Sequence, residues 1–119
     1  MTIAVSQLTF KSEVLEASTP VLVNFWAPWC GLCHLTQPMM ADLHSEWGDQ
    51  VKLVKINADE NLSLSSSYQI KTLPTIMLLE RGKVLCRLEK FGRREDFSQA
   101  VNELQLALTQ AMLACSCPA

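Results

Sequence analysis

Six residues, Val21-Leu22-Val23-Asn24-Phe25-Trp26, form an almost wholly apolar run held between Pro20 and Pro28. This run limits the possible folds more than any other stretch. A strand with one wet face alternates apolar and polar residues, whereas a run that is apolar at nearly every position suits a strand covered on both faces. The rest of the chain must then supply a layer on either side. With 119 residues, 49% of them apolar, it can build one packed core but is too short for two ordinary domains.

The remaining pattern supplies those layers. Leu35, Met39, Leu43 and Trp47 recur every four residues with Asp42, Ser45 and Glu46 between them, and Gly48 follows; this predicts an amphipathic helix kinked at Pro38. Val51 to Ile56 reads as a second interior strand, and Leu62, Tyr68 and Ile70 mark a short helix before Pro74. Thr75 to Leu79 and Val84 to Leu88 flank Glu80-Arg81-Gly82-Lys83 as an antiparallel hairpin that ends by Gly92. From Arg93 onward, Phe97, Val101, Leu104 and Leu108 repeat at helical spacing, with Glu95 and Asp96 near the start where the helix dipole favours acids. Ile3 to Val5 and Phe10 to Ala17 add a strand and a short helix at the beginning. The sum is an α/β fold in which a βαβ half precedes an αββα half. The domain is placed at residues 1–110, leaving 111–119 as a tail that carries Cys115 and Cys117.

Composition removes several classes of function. Ten basic residues against twelve acidic ones give no surface for a polyanion, so nucleic acid is not expected as a partner. The first residues lack the basic start and long apolar run of a secretory leader, and no stretch approaches the roughly 20 apolar residues of a membrane span. A cytoplasmic protein that binds no membrane is the expectation. Five cysteines, an odd number, do not read as a secreted disulfide framework; in a reducing compartment they point to redox or metal chemistry.

Trp29-Cys30-Gly31-Leu32-Cys33 lies where the apolar strand gives way to the helix. A thiol in the first helical turn faces unpaired backbone N–H groups and the positive end of the dipole, both of which favour thiolate. Cys30 is best placed to gain from this. A thiolate is the attacking species in disulfide exchange, so Cys30 would form a mixed disulfide that Cys33, three residues on and on the same helix face, then resolves. Gly31 is expected to permit a tight backbone at the turn.

Several separated motifs agree with this placement. Phe25-Trp26-Ala27-Pro28-Trp29-Cys30-Gly31-Leu32-Cys33, then Pro38, Thr72-Leu73-Pro74-Thr75, Gly82 and Gly92 together resemble the thioredoxin family over residues 3–108. The resemblance implies a thioredoxin-like mixed sheet flanked by helices and a thiol–disulfide oxidoreductase with no bound cofactor. It implies protein disulfides as substrates, a thioredoxin reductase or related donor as electron source, and a monomer. It further implies that Pro74 is a cis-proline beside the cysteines, and that Leu73 and Gly92, with Trp29 and Leu32, help form the groove for an extended partner. Lys55 matches the family's buried lysine.

Two departures bear on mechanism. Asn24 occupies the position where the family usually has a buried aspartate, and an amide cannot ionise, so resolution by Cys33 is expected to be slower. Leu32 stands where a proline is usual, which removes a fixed φ; a less reducing potential is expected. The two together motivate a second reading, a thioredoxin-fold binding or regulatory module with weakened chemistry.

Blander readings accompany each residue. Cys30 and Cys33 could join Cys115 and Cys117 in a metal site, although a strand-to-helix CxxC is more commonly a redox pair than a structural one. Cys86 reads as a packing residue, His34 and His44 as solvated helix positions, and Met39, Met40 and Met77 as core fillers. Trp26 reads as core and Trp29 as rim. Lys55, between Val54 and Ile56, must either reach outward or find a buried partner.

Overall fold

The computed structural model describes residues 2–89, 99 and 102–110. Five strands form one sheet in the order β1-β3-β2-β4-β5: β1 is Thr2–Ala4, β2 Val21–Trp26, β3 Lys52–Asn57, β4 Thr75–Glu80 and β5 Lys83–Leu88. β1 and β2 run parallel to β3, and β4 and β5 are antiparallel to their neighbours. The apolar run is the middle strand, and its first five residues are buried.

Two cores cover the two faces. Because side chains alternate along a strand, Leu22 of β2 and Leu53 of β3 face α1 (Gly31–Trp47) with Ile76 and Leu78. There they meet Met40 and Leu43, together with Leu104 and Leu108 from the helical residues 102–110. Val21, Val23 and Phe25 point the other way with Val54, Ile56, Met77 and Leu79, onto Phe10 and Val14 of the first connection and the partly buried Leu64 and Tyr68 from and just after α2 (Leu62–Ser67). The β4–β5 hairpin turns through Arg81 and Gly82, with φ of 51° and 84°. Positive φ at both central residues is the geometry that lets a two-residue turn match the strand twist.

Some details differ from expectation. The segment after Phe10 is a single π-helical turn, Lys11–Leu15, where a longer helix was predicted. Helix α1 starts at Gly31, earlier than Leu35, and its buried stripe is Cys33, Thr36, Met40 and Leu43. Residues spaced strictly by four drift about 40° per step on a helix of 3.6 residues per turn. Leu35 is therefore turned out at 62% exposed, Met39 and Trp47 lie at the margins, and only Leu43 reaches the centre. Strand β5 is mostly exposed in its first half, Val84 and Leu85 included, as suits an edge. Cys86 packs against the α1-side core but is only partly buried.

Arg87 of β5 ties the edge to the connection after α2. Its guanidinium donates from Nη1 to the Tyr68 carbonyl at 2.6 Å and from Nη2 to the Gln69 carbonyl at 2.8 Å. Those carbonyls lie just past the end of α2, where the helix leaves acceptors without intrahelical donors. Gly92, the start of the closing helix, and the tail with Cys115 and Cys117 lie outside the described residues. No described helix is long and apolar enough to cross a membrane.

Candidate active site

The sheet register brings two distant stretches together. In the antiparallel pairing of β2 with β4, Phe25 lies opposite Thr75. The residues that follow Phe25 therefore run alongside those that precede Thr75, namely Leu73 and Pro74. Leu73 accordingly packs, with Trp26 and Leu32, on the buried cluster of Ala27, Cys30 and Cys33. The Leu73–Pro74 peptide bond is cis and Pro74 is buried. The Thr75 hydroxyl donates to the Thr72 carbonyl at 2.7 Å, which fixes the turn into β4.

Cys30 is the N-cap of α1, one position before the first helical turn. Its backbone is extended, and its Sγ accepts from the Cys33 backbone N–H at 3.2 Å. A cap side chain satisfies one of the orphan donors at a helix start, and a sulfur anion does so better than a thiol. The two sulfurs are joined as a disulfide across Cα atoms 5.3 Å apart. Access differs between them: Cys30 is 6% exposed and Cys33 is 0% exposed. The Thr36 hydroxyl donates to the Cys33 carbonyl at 2.7 Å and helps hold that turn.

Trp29 is 70% exposed, and its indole N–H donates to Asp59 Oδ2 at 2.6 Å, which holds the ring against the β3–α2 connection. Asp59 was not singled out from the sequence; it lies 30 residues from Trp29, and only the end of β3 next to β2 brings them together. Gly31 needs correction. It has no positive φ, and a Cβ built on it meets nothing within 4 Å. The turn therefore does not require glycine, and the residue instead leaves bare backbone at the rim.

Asn24 and Lys55 lie opposite each other in register and share the face of the sheet that looks at α1. Asn24 is 5% exposed, and its Oδ1 has no hydrogen-bond partner. Lys55 resolves the choice left by the sequence: it is half-buried and places its Nζ 5.3 Å from the centroid of the Trp26 ring. His34 is exposed but tied, with Nε2 2.9 Å from the Pro28 carbonyl. A carbonyl can only accept, so this nitrogen carries the proton.

Burial pushes the Cys86 thiol up from its ordinary range, with Glu103 adding to the shift. Cys86, on the edge strand β5, is thus a poor nucleophile. Among the described residues no group of three or more His, Cys, Asp and Glu side chains could hold a metal ion. Gly92, expected from the resemblance to help form the groove, and the second cysteine pair lie outside the described residues.

Comparison with known proteins gives one answer. The family model described as Thioredoxin matches residues 1–103. Thioredoxin 1 of Synechococcus elongatus is 51% identical over 80 residues, which are 67% of this chain and 75% of that protein. The chloroplastic M-type thioredoxin of Chlamydomonas reinhardtii is 49% identical over 80 residues, 67% of this chain and 57% of its own length. The thioredoxin of a Synechocystis species is 43% identical over 79 residues, 66% of this chain and 74% of its own.

Proposed function

The chain belongs to the thioredoxin family and is a thiol–disulfide oxidoreductase, and from that membership we propose that Cys30 attacks the disulfide of a protein substrate and Cys33 resolves the product. The single observation that carries the order of events is the difference in access, 6% against 0%. Only Cys30 can be approached from outside, and it is also the sulfur that caps the helix.

The reaction balances as two exchanges. Cys30 thiolate attacks one sulfur of the substrate disulfide, forming the Cys30–substrate bond and releasing the other sulfur as a thiolate that takes up a proton. Cys33, deprotonated, then attacks Cys30 Sγ; the Cys30–Cys33 bond forms and the second substrate thiol leaves. The protein ends oxidised and the substrate reduced by two electrons. A thioredoxin reductase or a related dithiol donor returns those electrons, and no cofactor is assigned to this domain.

Trp29, Gly31, Leu32, Leu73 and Pro74 are assigned to the rim that receives an extended substrate segment, and the resemblance adds Gly92 to the substrate-binding set. Their support is the exposed indole, the bare backbone at Gly31 and the packing of Leu73 and Leu32 on the cysteine cluster. Leu32 in place of a proline is assigned to a potential less reducing than that of relatives with the usual residue. We place the working unit at residues 1–110, acting as a monomer in the cytoplasm; a free Cys86 fits a reducing compartment.

The test is insulin reduction with a chemical dithiol and with a reductase, beside Cys33→Ser as a trap. Turnover by the native chain and a covalent adduct on Cys30 of the variant are expected. Capture by the variant without turnover by the native chain would instead favour a binding module.

A further inference from the structure

Resting on that assignment, the second exchange poses a problem: Cys33 is 0% exposed, yet its thiol must lose a proton before it can attack. An exit lies along the same helix. A half-open pocket of about 400 Å³ lies between one stretch of α1 and the sheet, with His34, Gln37 and Met40 on the helix side and Asn24, Leu53 and Lys55 on the sheet side. Gln37, on its wall, is four residues on from Cys33, so the nearest edge of the pocket is one helical turn from the buried thiol.

The wall of this cavity points to water. Asn24 Oδ1 is buried and unpartnered on it, and a buried acceptor left without a donor is destabilising. The space has room for several water molecules, offers them several polar partners, and opens to solvent past His34 and Gln37. Of its two ionisable side chains, Lys55 has three donors and no acceptor, so it cannot take up a proton. His34 can. Its Nε2–H is spent on the Pro28 carbonyl, which leaves the Nδ1 lone pair as the acceptor of the neutral ring.

We propose that ordered water in this cavity, anchored on Asn24 Oδ1, carries the Cys33 proton to His34, making His34 the proton acceptor for the resolving step. The S–H bond of Cys33 breaks as its proton passes to water, and water delivers a proton to Nδ1. The positive charge of Lys55 favours the Cys33 thiolate, and it also favours passing the proton on from the pocket water to the outer, exposed His34. After the new disulfide has formed, the imidazolium gives its proton through solvent to the departing substrate thiolate, so no proton is gained or lost overall. His34 acts here as a base through water, and Asn24 as a positioning residue.

An aromatic disulfide reagent, 5,5′-dithiobis(2-nitrobenzoate), separates the two steps in a stopped-flow experiment on the fully reduced chain carrying Cys86→Ser, Cys115→Ser and Cys117→Ser. That chain serves as the native reference for the variants below, because only the Cys30–Cys33 pair then releases chromophore. A first release of chromophore reports attack by Cys30, and a second reports resolution by Cys33. His34→Gln keeps a donor for the Pro28 carbonyl but cannot accept a proton. It is expected to slow the second phase about tenfold or more while leaving the first unchanged. Asn24→Asp supplies a carboxylate inside the cavity, so in that background His34→Gln is expected to slow the second phase by less than about twofold. A second phase that His34→Gln leaves at the native rate, or slows equally in both backgrounds, overturns the role of His34. Absence of any second phase from the native chain would instead overturn the assignment of Cys33 itself.

Discussion

Replacing Asn24 by aspartate puts an ionisable group at a position that is 5% exposed, on the α1-facing side of the sheet and opposite Lys55. A protonated carboxyl is close in size and shape to the carboxamide, so the variant should match the native chain in acid. Ionisation is a different matter. Burial disfavours the charged form and raises a carboxyl pKa by as much as ~3–5 units when complete, while a nearby lysine opposes the rise. Taking a net rise of ~2–3 units above the unfolded value of about 3.9, at 1.36 kcal/mol per unit, gives a loss of about 3–4 kcal/mol. The sign follows from proton uptake. The folded state holds the proton more tightly than the unfolded one, so stability relative to the native chain is intact below about pH 4, falls as pH rises toward the folded-state pKa, and is level above it. Urea unfolding of both proteins at intervals from about pH 4 to pH 8 measures this directly. A difference that does not vary with pH, or that is absent at neutral pH, would refute the reading that burial at Asn24 disfavours a charge there. Adding Lys55→Met to the variant should deepen the loss at neutral pH.

Three further outcomes are expected. Arg87→Met keeps the apolar stem but removes two charge-assisted hydrogen bonds to the Tyr68 and Gln69 carbonyls; because water partly replaces them, the loss should be about 2 kcal/mol in urea unfolding, and a loss under about 0.5 kcal/mol would show that the tie is not needed. Burial raises the Tyr68 hydroxyl from 10.0 and, with Glu103, the Cys86 thiol from 9.0. Their unfolded forms ionise first, so stability should fall as pH rises through 9 and 10, and Tyr68→Phe with Cys86→Ala should flatten that slope in melting curves. Gly31→Ala places its methyl in open space at the first residue of α1 and should stabilise by about 0.5 kcal/mol; a destabilised variant would show that the backbone there is strained.

Much of the fold could be read from the sequence because its strands are short apolar runs punctuated by proline and glycine. Val21 to Trp26 and Thr75 to Leu79 emerged as β2 and β4, and the connection read over Glu80-Arg81-Gly82-Lys83 emerged as a hairpin whose loop is only Arg81 and Gly82. What failed was periodicity read too literally, as Leu35 shows, and the length of a segment whose only buried anchors are Phe10 and Val14. At the site, Cys30 and Cys33 were legible because their chemistry depends on local sequence, a cap and the residue one turn beyond it. Asp59 and the role of the Pro28 carbonyl were not, because hydrogen bonds across a sheet's end leave no trace in spacing along the chain. Asn24 was flagged by resemblance, but that its Oδ1 is left unpartnered is a fact of packing alone.

The two halves of the exchange are assigned to two environments on one helical turn. The attacking sulfur needs an electropositive setting and a path from outside, and the N-cap position supplies both: a backbone N–H at 3.2 Å and a rim of exposed tryptophan and bare glycine. The resolving sulfur needs protection from wrong partners, and full burial under Leu73 and Leu32 supplies that at the expense of an easy proton exit. Neither requirement can be met by moving the cysteines together along the helix, because the register that sets Phe25 against Thr75 fixes where Leu73 falls. A change that slides β4 by two residues would keep its faces correct yet uncover Cys33. Loss of selectivity for Cys30 over Cys33 in alkylation of the reduced protein, without loss of folding, would reveal it.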